Sequence, residues 1–423
     1  MTPQVPNVPV DTRDALAVPL SATQLEDPNR DNPFAQLIED QSIAVIPSFE
    51  LECGRTVHSV PIAYKTWGTL NEARNNVMVI CHALTGSSDV MDWWGPLLGS
   101  GKAFDTDQFF IVCCNVTGSP YGSMSPCTIN PDTHKPYGPS FPMTTIRDDI
   151  RLHRRILDML GVRQVAICIG GSLGGMQVME WATLGSDYVR HIVPIATSAR
   201  HSAWGISWGE AQRQAIYSDP DYCDGLYPIR SQPASGLSAA RMSALLTYRT
   251  RNSFQSRFGR NLMQTIDDRT GNNVYSAQSY LRYQGKKFIQ RFDANCYVAL
   301  TLKMDSHDIS RGRDDVEEFH DILKSLQQPA LVIGIESDGL FTINEQYEIS
   351  EHLPNATMVA IQSPDGHDGF LLEFTQLNAL IRQFIQKHLP EYYAESPGHA
   401  EPEPLVATKS SLFGEAEVDV MKW

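Results

Sequence analysis

Residues 170–174 read Gly-Gly-Ser-Leu-Gly, a G-x-S-x-G pattern placed directly after the apolar run 165–169 and directly before a helical stretch. A sharp strand-to-helix turn of this kind holds its serine in a strained conformation, and small neighbours are needed for the backbone to close up. Ser172 is thereby lifted above a sheet at a helix N-terminus, where backbone N–H groups favour a developing anion. The same letters also describe a glycine-rich turn with an incidental serine, and the flanking strand and helix are what favour a nucleophile.

A nucleophilic serine needs a base, and the base needs a group that orients it. The order that goes with G-x-S-x-G is serine, then acid, then histidine. The apolar run 330–335 leads into Glu336-Ser337-Asp338, and the run 358–361 leads into Asp365-Gly366-His367. Asp338 is therefore the expected acid and His367 the expected base. Glu336 and Asp365 compete for the acid role, although each suits a turn cap or a solvent-facing position. His82 comes too early for the order, and His307 and His320 are the remaining rivals. For the oxyanion hole the expected donors are the backbone N–H of Leu173 and that of Leu84, in the segment His82-Ala83-Leu84-Thr85-Gly86 after the run 77–81. The alternative there is an ordinary strand-to-helix loop. This set of groups carries an acyl group onto a small hydroxylated substrate. Its rate should rise as His367 loses its proton, near a pKa of about 6.5 if the ring is little perturbed.

The elements that must hold these groups follow from hydrophobic pattern. Residues 42–51 and 56–65 look like antiparallel strands. The short apolar runs 77–81, 109–114, 165–169, 191–196 and 330–335 suit central parallel strands covered on both faces. Residues 145–160 and 175–184 supply helices between them. The expectation is an α/β-hydrolase fold with a mostly parallel central sheet. Residues 197–313 break the rhythm with helix-like stretches at 204–218, 236–248 and 276–288, which reads as a helical cap inserted into a core of 41–196 and 314–389. Residues 1–40 read as an N-terminal arm and 390–423 as a C-terminal tail.

The chain of 423 residues has 34 basic and 49 acidic residues, a net charge of −15. That balance disfavours nucleic acid, whose phosphates call for Lys and Arg, and an anionic membrane surface. No apolar run approaches a membrane span, and the acidic, proline-rich start does not resemble a signal peptide. The eight cysteines form no C-x-x-C pair, and no histidine cluster has zinc-like spacing. The expectation is a reduced, cytoplasmic protein without disulfides, metal or a permanently bound cofactor.

Several stretches carry a resemblance. They include residues 82–86, Trp93-Trp94-Gly95-Pro96, residues 115–123, Thr145-Ile146-Arg147-Asp148, residues 170–176, Gln212-Arg213-Gln214-Ala215-Ile216 and Gly366-His367-Asp368. In this order and spacing, from about residue 40 to 388, the chain resembles the homoserine O-acetyltransferase family. The resemblance implies a ping-pong reaction in which Ser172 takes an acetyl group from acetyl-CoA and passes it to the hydroxyl of L-homoserine. It also implies that Arg213 holds the acceptor carboxylate and Asp368 its amino group, and that the inserted cap covers the site and forms a homodimer. Leu173 stands where the family commonly has methionine, and both supply the same N–H. Phe292-Asp293-Ala294-Asn295-Cys296-Tyr297 and residues 301–312 resemble fungal serine O-acetyltransferases and deacetylcephalosporin C acetyltransferase. L-serine or a hydroxylated secondary metabolite therefore stays open as acceptor. An esterase using water is a further reading.

Overall fold

A computed structural model describes residues 16–22, 26–267, 269–313, 318–393 and 411. Nine strands form the main sheet: β1 (Val18–Pro19), β2 (Ser42–Glu50), β3 (Thr56–Trp67), β4 (Val77–Cys81), β5 (Phe110–Cys114), β6 (Val165–Gly171), β7 (Ile192–Ile195), β8 (Ala330–Ile335) and β9 (Ala356–Ile361). Their order across the sheet is β1-β2-β3-β5-β4-β6-β7-β8-β9. The first three strands and the β3–β5 pair run antiparallel, and from β5 to β9 every neighbour is parallel. The family fold expected from the runs of apolar residues is the fold observed.

Strand alternation divides the core in two. On β4, Val77, Val79 and Cys81 join one apolar cluster, and Met78 and Ile80 join the other. On β8, Ala330 and Val332 face the first cluster, and Leu331, Ile333 and Ile335 the second. This is why both faces of these strands are apolar: helices cover each side, and period-two alternation then carries no polar face. The alternation slips on β6, where both Ala166 and Ile167 belong to the second cluster. The register against β4 shifts at that point, from Val77↔Val165 to Met78↔Ile167, as a bulge requires.

The crossover helices are α1 (Ile146–Met159) and α2 (Leu173–Ala182). A capping box starts α1: the Thr145 hydroxyl accepts from the Asp148 N–H at 3.1 Å, and Asp148 Oδ2 accepts from the Thr145 N–H at 3.0 Å. Between β7 and β8 come α3 (Ala203–Tyr217), α4 (Ala234–Tyr248), α5 (Ser276–Phe288) and α6 (Ala294–Asp305), and after β8 come α7 (Ile343–His352) and α8 (Phe374–His388). The insertion is not purely helical, since Leu262–Ile266 and Asn273–Tyr275 pair as a hairpin. α6 had no periodic signature, because it is buried on most sides and its apolar residues mark no single stripe.

Within the span expected as an arm, Val18–Pro19 pairs with Ala44 and Val45, and Phe34 and Ile38 are buried in a cluster with Phe288, Phe292 and Tyr297. Of the span expected as a tail, residues 390–393 and 411 are described, and the rest lies outside the described residues, as does the 314–317 boundary of the insertion. No described helix is long and apolar enough to cross a membrane.

One buried ion pair ties the insertion to the core. Lys303 on α6 and Asp149 on α1 are both fully buried, with Nζ 2.5 Å from Oδ2. Lys303 also donates to Thr117 O at 2.6 Å and to its hydroxyl at 2.9 Å, and Asp149 Oδ1 accepts from the Thr117 N–H at 2.9 Å. A buried pair is tolerable only when its remaining hydrogen-bonding capacity is filled in this way. Lys303→Met should leave Asp149 charged without its partner and lower stability by about 3–5 kcal/mol, read as a lower denaturant midpoint. An unchanged midpoint would show that the pair does not hold the insertion.

Candidate active site

Ser172 sits between the end of β6 and the first turn of α2 with φ 58° and ψ −125°. That conformation is costly for a residue with a side chain, and the crossing of strand and helix imposes it. A Cβ on Gly174 would stand 2.1 Å from Cys81 O, and one on Gly170 would stand 2.4 Å from Gly174 O. Only glycine lets α2 approach β4 and β6 this closely. The serine's own backbone is tied down by its N–H to Ile195 O at 3.0 Å, and by Thr197, whose hydroxyl donates to Ser172 O at 2.8 Å.

The three residues expected to act together are brought together. His367 Nε2 lies 2.9 Å from Ser172 Oγ, and His367 Nδ1 lies 2.6 Å from Asp338 Oδ2. The other oxygen of Asp338 accepts from the N–H groups of Leu340 and Phe341 at 2.8 and 2.9 Å. Asp338 therefore stays an acceptor, Nδ1 carries the proton, and Nε2 is left to receive one from the serine. Phe341 stacks on the ring at a centroid distance of 5.1 Å. Burial works against a charged His367, but the Asp338 carboxylate outweighs it, so the ring's pKa is raised above 6.5. The unperturbed value expected from sequence is thereby corrected upwards.

The rivals are occupied elsewhere. Asp365 accepts from Arg249 at 2.8 Å and from Ser253 at 2.6 Å, and Glu336 is exposed. His320 pairs with Glu348 at 3.0 Å, and burial drives His307 down to about 4. His82 lies beneath the candidate oxyanion turn. Its Nε2 accepts from the Val116 N–H at 3.1 Å, so Nδ1 holds the proton and donates to Ala83 O at 2.9 Å. Burial lowers its pKa to about 4, keeping it neutral.

Ala83 O also accepts from the Gly86 N–H at 2.9 Å, closing a turn with Leu84 and Thr85 at its centre and Thr85 at φ 64°. Arg291 holds the far side by donating to Thr85 O at 3.1 Å. Such a turn does not use the Leu84 N–H, and a helix leaves its first N–H groups, here that of Leu173, without an intrahelical acceptor. Leu84 lines the pocket above Ser172, and Leu173 is buried beneath it.

Two acceptor-binding candidates sit differently from each other. Asp368 lines the pocket and is buried, with Oδ2 2.5 Å from Nε of Arg249. Arg213 is buried on α3 beside the pocket residues Gly209 and Asp305, and pairs with Asp305 at 2.6 Å and Glu210 at 3.0 Å. Its Nη1, and Oδ1 of Asp305, have no hydrogen-bond partner among the described residues. Sequence reasoning missed Arg249, Asp305 and Glu345. Arg249 and Asp305 fall at the ends of cap helices, where a lone charge resembles any solvated helix terminus. Glu345, in the first turn of α7, is pushed up to about 7 chiefly by burial, with the nearby Asp338 adding to it. The remaining pocket wall is largely apolar, with Trp208, Tyr248, Met304, Leu340 and Phe370 among its residues.

The arrangement suits attack by Ser172 on an acyl carbon, with His367 as proton carrier. Reactivity of Ser172 towards a fluorophosphonate should fall as pH drops through the His367 pKa, with a midpoint above 6.5, because the protonated ring is no base. Asp338→Asn should slow it by about four orders of magnitude. A labelling rate flat with pH would remove His367 from the base role.

Comparisons with known proteins converge on this geometry. Residues 76–374 match the family model for the alpha/beta hydrolase fold. A homoserine O-acetyltransferase of Emericella nidulans is 49% identical, over 96% of this chain and 99% of its own length. Among solved structures, esterase E22 superposes with a TM-score of 0.74 at 25% identity, covering 82% of this chain and 99% of its own. A homoserine O-acetyltransferase from Staphylococcus aureus does so with a TM-score of 0.64 at 29% identity, over 84% of this chain and 99% of its own.

Proposed function

The chain belongs to the homoserine O-acetyltransferase family on the α/β-hydrolase fold, and on that footing we propose that it moves an acetyl group from acetyl-CoA to L-homoserine by a ping-pong mechanism. What carries the reading is the continuous chain Ser172–His367–Asp338, at 2.9 and 2.6 Å, at the floor of a pocket that also holds Asp368.

In the first half-reaction Ser172 Oγ attacks the thioester carbonyl while His367 Nε2 takes its proton. The N–H groups of Leu84 and Leu173 receive the oxyanion. Collapse expels the CoA sulfur, protonated by His367, and leaves acetyl-Ser172. In the second half the acceptor hydroxyl gives its proton to His367 and attacks the acetyl carbon. The acetyl ester leaves as the proton returns to Ser172. Asp338 stabilises the imidazolium at each stage.

Acceptor recognition calls for one cationic and one anionic group. The unpartnered Nη1 of Arg213 suits a carboxylate, and Asp368 suits an ammonium group. Both already face counter-ions, Asp305 and Arg249, so a zwitterionic acceptor completes two polar networks without adding net charge. An acyltransferase must also keep water from its acyl-enzyme. The apolar wall and the insertion of residues 197–313 serve that purpose as a lid, and the reading includes a cytoplasmic homodimer that needs no permanent cofactor.

L-serine is one methylene shorter, a difference worth only about 1 kcal/mol in a loose pocket. The likeness to esterase E22 keeps water as a second acceptor to test. CoA release should be fastest with L-homoserine, slower with L-serine and slowest with water. Equal rates with water and with every acceptor would make the enzyme an esterase, and a preference for serine would move the acceptor but keep the mechanism. Ser172→Ala should abolish turnover without unfolding the protein. Arg213→Ala should raise the acceptor KM about tenfold or more while leaving the burst of acetyl-enzyme formation nearly intact.

A further inference from the structure

Three buried acids meet outside the Ser172 pocket and take no part in the chemistry above. Cys127 lies in the stretch after β5, and Asp293 and Cys296 open α6. Their ligand atoms all lie within 4.8 Å of one another. Far apart in the chain, they show no metal-binding spacing in the sequence. The fold makes the cluster.

The two sulfurs stand 3.7 Å apart. Two thiolates on one tetrahedral zinc ion, each about 2.3 Å from the metal, stand roughly 3.8 Å apart. The pair already has the spacing of one edge of such a site. Asp293 is also held ready: Oδ1 accepts from the Cys296 N–H at 3.0 Å and Oδ2 from the Tyr227 hydroxyl at 2.9 Å. Each carboxylate oxygen keeps a second lone pair for a cation, and donors of this kind orient the carboxylate that holds a metal.

Electrostatics point the same way. Although the Cys296 hydrogen bond works to lower the Cys127 pKa, burial and the Asp293 charge lift it to about 11. Burial also raises Cys296 well above the usual thiol range and raises Asp293 above the usual carboxylate range. In each thiol the neighbouring acid adds to the rise, so the ionised forms penalise one another. A divalent cation removes that conflict, taking up two thiolates and a carboxylate and releasing the thiol protons to water. The filled site keeps a net negative charge, which the N-terminus of α6 favours. Cys127 and Asp293 both line an open groove of about 970 Å³ with Tyr227 and Asn295. The groove admits the ion and leaves a fourth position for water.

The geometry points to a zinc site at Cys127, Asp293 and Cys296 that fastens the stretch after β5 to α6. The same helix carries Thr301, Met304 and Asp305 into the wall of the Ser172 pocket, so the ion braces that wall from its far end.

The test uses the full chain, reduced, stripped with a chelator and titrated with Co(II) as a spectroscopic probe. One equivalent should produce a thiolate-to-cobalt charge-transfer band with the intense visible bands of a tetrahedral ion, and Zn(II) should displace it. Cys127→Ser and Cys296→Ser should each weaken binding at least about tenfold, and the double variant should lose the charge-transfer band. Zn(II) should raise the melting temperature of the parent chain and not of the double variant. Absence of a thiolate band in the reduced parent would overturn the proposal. So would an unchanged band in the double variant, which would assign the metal to other cysteines.

Discussion

Where α2 crosses β4, backbone meets backbone with no side chain between them, and the reaction centre depends on that contact. Gly174 sits so close to Cys81 O that a methyl group there would overlap it. The crossing turns the chain sharply between β6 and α2 and forces Ser172 to a positive φ, at a cost of about 1–3 kcal/mol. That strain is offset by hydrogen bonds from and to the Ser172 backbone, involving Ile195 and Thr197. The same turn leaves the hydroxyl above the sheet and the Leu173 N–H without an intrahelical acceptor. Nucleophile and one oxyanion donor are thus consequences of a single close approach.

The charges around that turn are arranged so that none is left uncompensated. Asp338 divides its two oxygens between the His367 ring and two backbone N–H groups, which keeps it ionised and makes it the dominant influence on the histidine despite burial. The oxyanion turn rests on a neutral His82 below and on Arg291 from the insertion at its side. Lys303, also from the insertion, grips Asp149 and Thr117 in the core. The cap helices therefore do more than cover the pocket, since their cations help fix core loops that bear on the chemistry.

Much of this was legible in the sequence wherever the cause was local. Continuous apolar runs marked the parallel strands, because a strand covered on both faces has no polar side to show. Glycines around Ser172 marked the turn, because no other residue fits a backbone contact of that kind. Asp338 and His367 could be picked out because in this topology functional groups sit in the loops after successive strands, so chain order stands in for position. The α1 capping box was visible in Thr145 and Asp148 for the same reason, since its partners are three residues apart.

What only the tertiary structure decided is which distant charges face one another. Arg249 with Asp368, Arg213 with Asp305, Lys303 with Asp149, and the cluster of Cys127, Asp293 and Cys296 are contacts between elements separated by long stretches of chain. No periodicity encodes them, because a charged side chain at a helix end has the same local pattern whether it meets water or a buried partner. The upward shift of His367 belongs here too, since it is set by the distance to Asp338 and by the exclusion of water around both. The sequence by itself determined the backbone path, the order of the strands and the identity of the reacting groups, through effects that act over a few residues. The protonation and pairing of those groups depend on dielectric and distance, and neither exists until the chain has folded.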